Sequence, residues 1–74
     1  MVELKKLEGK NIILTDIDGD TFEGYVSEYI FPDDNYPEEV EGITIDYPIK
    51  NGKIEYEYIV QFNKPEIKSI EILD

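Results

Sequence analysis

The sequence predicts an all-β domain: a short N-terminal helix, then five antiparallel strands in a strongly bent sheet that forms a small barrel. Three observations carry that expectation. Isoleucine, valine and tyrosine recur in short alternating runs, as they do in half-buried strands. Two dipeptides, Asp18-Gly19 and Asn51-Gly52, stand between such runs and mark tight hairpin turns. Gly24 lies inside the strand that returns from the first turn. A glycine there marks a sharp bend or a close backbone approach, and a long strand bent at a glycine curls one sheet toward closure.

Residues 2–8 support one or two helical turns, with Leu4 and Leu7 three apart on one face. So short a helix is marginal unless it docks, which makes it a lid on one barrel end. The first strand is expected over residues 11–17 and the second over residues 21–31. The second is apolar on both faces, with Phe22, Val26 and Ile30 on one and Tyr25, Tyr29 and Phe31 on the other. A strand that changes sheets at a bend carries that pattern.

Residues 32–40 form a turn-rich loop with two prolines and four acids. The third strand, residues 42–47, alternates Ile43, Ile45 and Tyr47 inward against Thr44 and Asp46. Beyond Asn51-Gly52, the fourth strand spans residues 54–62, with Ile54, Tyr56, Tyr58, Val60 and Phe62 on one face. Asn63, Lys64 and Pro65 turn the chain, and residues 67–73 make the fifth strand. The 74 residues hold one domain, residues 1–74, with no repeat and no linker.

Charge narrows the function classes. Eighteen acids face seven lysines, with no arginine and no histidine, a net charge of −11. Nucleic-acid affinity rests on basic residues that displace condensed counterions, so the overall field repels a polyanion. The absent arginine also removes the usual bidentate reader of phosphates and base edges. Histidine, the side chain best matched to proton transfer near neutral pH, is missing, and so is any thiol. Ser27 and Ser69 fall in mid-strand with no neighbouring base. The expected protein is therefore not an enzyme and takes no cofactor. The first ten residues carry charges throughout, unlike a leader, and no stretch nears the ~20 apolar residues of a membrane helix. The expectation is a soluble, cytoplasmic protein that does not engage a membrane.

Asp16, Asp18 and Asp20 have the one-three-five spacing that opens a calcium loop. Positions six and twelve of such a loop require glycine and glutamate. This chain has Thr21 and Ser27 there, so the run reads as a solvated hairpin turn with no metal.

Strand, Asp-Gly turn, aromatic, glycine two residues on, then apolar alternation is a pattern this chain shares with the Sm-like (LSm) family. Asp18, Gly19, Phe22, Gly24, Val26 and Tyr29 match it in order, and Ile67, Ile70 and Ile72 resemble the family's last motif. Asp18, Gly19, Phe22 and Gly24 are thus the candidate fold-determining residues. The resemblance covers nearly the whole chain and implies the SH3/Sm-like barrel. It also implies ring assembly, in which strand four pairs with a neighbour's strand five.

The family's RNA-site residues differ here. Ile30 stands where the family has an aspartate, and Asn63-Lys64 where it has arginine-glycine. The loops that line the family's pore correspond to residues 32–39 and 63–66. They hold Asp33, Asp34, Glu38, Glu39 and Glu66 against Lys64, a lining that opposes RNA. Asn35 and Tyr36 retain the capacity to hydrogen-bond and stack on a base. The candidate partner or ligand contacts are accordingly Asp33, Asp34, Asn35, Tyr36, Glu38, Glu39, Asn63 and Lys64.

The expected function is a protein-interaction module that self-associates through edge strands, with a basic protein patch as the complement of the acidic loop. Two alternatives stand beside it. One is an RNA-binding Sm-like protein in which Lys5, Lys6 and Lys10 gather at one end and Lys50 and Lys53 bracket the hairpin between strands three and four. The other is an acidic mimic that blocks a nucleic-acid-binding protein.

Overall fold

The computed structural model describes residues 3–74, so Val2 of the expected helix lies outside the described residues. In place of an α-helical turn stands a 3-10 turn, Leu4–Lys6, closed by Leu7 N–H donating to the Leu4 carbonyl at 3.0 Å. Leu4 and Leu7 are buried in the core, so the segment docks rather than frays.

Six strands follow: β1 (Asn11–Asp16), β2 (Thr21–Ile30), β3 (Gly42–Lys50), β4 (Ile54–Glu55), β5 (Val60–Asn63) and β6 (Ile67–Ile72). They form one antiparallel sheet in the order β4-β3-β2-β1-β6, and β5 also pairs with β3. Among the described residues the sheet is not closed: β6 pairs with β1 alone, and β4 and β5 with β3 alone.

Both predicted turns are present, with the expected chemistry. Gly19 has φ +89°, and Asn51 and Gly52 have φ 53° and 70°, backbone that asparagine and glycine adopt readily. The Asn51 side chain also ties this hairpin to the first one. Its Oδ1 accepts from Thr21 N–H at 2.9 Å, and its Nδ2 donates to Asp20 Oδ1 at 3.0 Å.

Two register shifts along β2–β3 explain why β2 is apolar on both faces. At the first, Gly24 alone stands against two residues of β3, Tyr47 and Pro48. A β-carbon on Gly24 would lie 2.5 Å from Ile45 Cγ2 and 3.1 Å from the Asp46 carbonyl, the close approach that an interior glycine permits. At the second, Ser27 is the extra residue on β2, and its hydroxyl hydrogen-bonds that of Thr44 at 2.7 Å. This bulge reverses the alternation, so Val26 is buried and Tyr29, three residues on, packs against the core. The core gathers Leu4, Leu7, Ile12, Leu14, Phe22, Val26, Ile43, Ile45, Phe62 and Ile67.

Three expectations require correction. The fourth strand is not continuous: β4 and β5 are separated by residues 56–59. Those four residues span only Asp46, Tyr47 and Pro48 on β3, so one residue is extra and the ladder opens. Pro48 has no N–H to donate, and its carbonyl keeps a single bond there, from Tyr56 N–H at 2.9 Å. Tyr47, expected inward, has φ +45° and is 61% exposed, while Pro48 is buried in its stead. Ile54 and Tyr58, expected on one face with Phe62, are exposed while Phe62 is buried, because the strand that would carry that face is interrupted.

Candidate functional site

The β2–β3 loop and the β5–β6 turn meet at one end of the sheet. The loop opens with a 3-10 turn, Pro32–Asp34, in which Asn35 N–H donates to the Pro32 carbonyl at 3.1 Å. The β5–β6 turn is a second 3-10 turn, Lys64–Glu66, anchored by Lys64 N–H on the Glu41 carbonyl at 2.8 Å.

Asn35 joins the two segments. Among the described residues it is the buried polar side chain, 7% exposed. Its Nδ2 donates to the Val40 carbonyl at 2.8 Å and to Asn63 Oδ1 at 2.9 Å. Gln61 Nε2 donates to Asn35 Oδ1 at 3.1 Å and to Asn63 Oδ1 at 2.9 Å. A buried amide without such partners would be strongly destabilising, and satisfied it fixes the loop. Gly42 leaves the room: a β-carbon there would sit 2.9 Å from Asn63 Oδ1.

Beside this amide network, the Glu41 carboxylate accepts from Tyr29 OH at 2.9 Å and from Lys64 Nζ at 3.1 Å. The Lys64 hydrogen bond, then that of Tyr29, holds the Glu41 carboxyl below its usual range. Loss of hydration raises the Tyr29 hydroxyl, and its bond to Glu41 adds to the effect.

Of the eight expected contact residues, Asn35, Asn63 and Lys64 are thus drawn into one structural network, and the charge of Lys64 is neutralised by Glu41. Asp33, Asp34, Glu38 and Glu39 stand exposed around it. Among the described residues, their side chains enter no ion pair or hydrogen bond of the network. Tyr36 is 85% exposed. Gln61, Glu41 and Tyr29 belong to the network but were not among the residues expected there. Their only sequence signal was position: Glu41 precedes Gly42, and Gln61 is the polar alternate of an apolar strand. What the network leaves outward is a rim of unpaired carboxylates with one exposed tyrosine, a surface suited to a cationic partner.

The other acid-bearing turn is different. Asp16 Oδ1 accepts from the N–H groups of Asp18 and Asp20, each at 3.0 Å, so the calcium-like spacing serves the hairpin itself. Lys50 pairs with Asp20 at 3.7 Å, and its Nζ lies 5.7 Å from the Phe22 ring centroid.

A third surface lies where the β3 ladder opens. Tyr47, Ile54, Tyr58 and Ile59 are each more than half exposed. Residues 54–58 line a shallow hollow of about 360 Å³. Among the described residues no helix is long and apolar enough to cross a membrane. Compared with known proteins, the chain matches no protein-family model, no curated protein and no solved structure.

Proposed function

We propose that this protein is a non-enzymatic interaction module built as a small Sm-like barrel, and that it self-associates through its free strand edges. The observation that carries this reading is the open sheet. Among the described residues β5 and β6 are each paired with a strand on one side only, which leaves the outer side of each without a partner strand. Such edges invite pairing with another strand unless they are protected. β5, Val-Gln-Phe-Asn, carries no charge to blunt it. β6 ends in the exposed Ile72, and Leu73 beyond it is exposed as well. The acidic rim around Asn35 supports a further contact with a basic protein patch.

Charge opposes assembly of like copies, because each brings a net −11. Salt screens that repulsion, so association should strengthen as ionic strength rises. Light scattering at low and high salt checks this. The expected result is a mass above the monomer that increases with salt and falls back in Ile72→Lys. A monomer at both salts would overturn the self-association reading.

A further inference from the structure

We propose that the open stretch of the β3 ladder is a docking groove for an extended, arginine-bearing segment of another protein. Four observations converge on that stretch. The chain leaves the β3 ladder after Tyr56, and Glu57, Tyr58 and Ile59 run beside it outside any strand. Apolar side chains stand exposed there, with Tyr47 and Tyr58 each at 61% and Ile54 and Ile59 at 56% and 54%. Within the same gap, Asp46 Oδ1 is buried and finds no hydrogen-bond partner among the described residues. Finally, Glu55 and Glu57 line the hollow, and neither enters any of the ion pairs made by Lys6, Lys50 and Lys64.

The chemistry of the occupant follows from these groups. The Tyr56 and Tyr58 rings lie 5.3 Å apart at 51°, and Tyr56 meets Phe22 edge to face at 6.1 Å. Lys50 already places a cation over the Phe22 end of this aromatic row. Among the described residues no cation stands over the Tyr58 end, and Glu55 and Glu57, which line the same hollow, enter no ion pair. Aromatic faces beside carboxylates select a cation, and a planar guanidinium stacks and hydrogen-bonds there better than an ammonium. An extended segment lets one side chain reach the aromatic row while its neighbours cover the exposed Ile54 and Ile59. This chain contains no arginine, so a second copy cannot supply the group. The occupant is therefore a different protein. The assignment deepens the interaction-module reading and lies on the β4–β5 side of the sheet, but it requires no backbone pairing of β5 or β6 with another copy, so separate measurements read the two.

The probe is a blocked, unstructured dodecapeptide with a central arginine between valines, titrated into isotopically labelled full-length protein and followed by amide chemical shifts. Peptides with lysine or glutamine in place of arginine serve as comparisons. The expected result is saturable shifts concentrated at residues 46–48 and 54–59, weaker binding of the lysine peptide, and none of the glutamine peptide. Tyr58→Ser should weaken binding about tenfold, the loss of one good cation–aromatic contact. Glu55→Gln with Glu57→Gln should weaken it several-fold. Glu3→Gln with Glu28→Gln removes as much charge elsewhere and should leave binding unchanged. All three variants alter exposed side chains, and their own amide spectra report whether each is folded.

Three results would overturn the proposal: no saturable shifts, shifts spread over the whole acidic surface, or equal binding of the lysine and arginine peptides. Equal weakening by the two charge-removing variants would reduce it to general acidity. Solution mass measured on the same samples reads self-association independently.

Discussion

Two turns of this protein are rich in acid, and they use it in opposite ways. In the β1–β2 turn two of the three carboxylates, those of Asp16 and Asp20, are used locally. Asp16 receives two backbone N–H groups, while Asp20 receives Asn51 and pairs with Lys50. In the β2–β3 loop an uncharged amide, Asn35, does the holding, and Asp33, Asp34, Glu38 and Glu39 are left to face outward. The difference teaches that a cluster of acids is not a site by composition alone. What matters is which oxygens remain free once the backbone has been satisfied.

Substitutions sharpen that contrast. The largest effect is expected from Asn35→Ala, which takes the buried partner from the Val40 carbonyl and leaves Gln61 and Asn63 only their bond to each other. It should cost about 2–3 kcal/mol, read as a lower denaturant midpoint at unchanged slope. Next comes Asp16→Ala, which strips two amides of their acceptor at a half-exposed turn and should cost about 1–2 kcal/mol by the same measurement. A smaller loss at Asn35 than at Asp16 would reverse the comparison.

The pH dependence of Glu41 provides a third test. Its folded-state pKa is lowered from the ordinary 4.5, so its contribution is present above that value and lost as pH falls through the folded one. Glu41→Gln should therefore be less stable than the parent at neutral pH. The gap between the two should close in acid, where the parent carboxyl is also neutral. A gap that does not change with pH would mean that the charge on Glu41 is not what ties β3 to the β5–β6 turn. The smallest effect belongs to Asp33→Asn, Asp34→Asn, Glu38→Gln and Glu39→Gln combined. Stability should stay within about 0.5 kcal/mol of the parent, while retention on a cation-presenting resin should drop.

The elements legible in the sequence were those whose chemistry is local. Asp18-Gly19 and Asn51-Gly52 announced their turns because positive φ favours those residues whatever surrounds them. Gly24 announced a close approach because it has no side chain to place there. The break at residues 56–59 was hard to read from its own stretch, which has no glycine or proline from Ile54 to Phe62 and departs from alternation at Ile59 alone. Its cause lies on the facing strand, where Tyr47 and Pro48 form the extra step. Pro48 was the one local hint, since a proline in a paired strand cannot donate to the ladder. The network about Asn35 was half legible. Asn35, Asn63 and Lys64 stood out by type, but Gln61 and Glu41 became partners only through the β3–β5 register, which no single segment encodes.

The two free edges are different surfaces, one a four-residue strand and the other a six-residue strand on the opposite side of the sheet. Pairing between them would therefore run head to tail, and each copy would behave as a bifunctional monomer. Such a monomer adds without limit unless the rotation from copy to copy brings the last edge back to the first. A variant blocked on β6 alone would then act as a chain terminator: mixed in small proportion with the parent, it would shorten open filaments while leaving already closed rings intact.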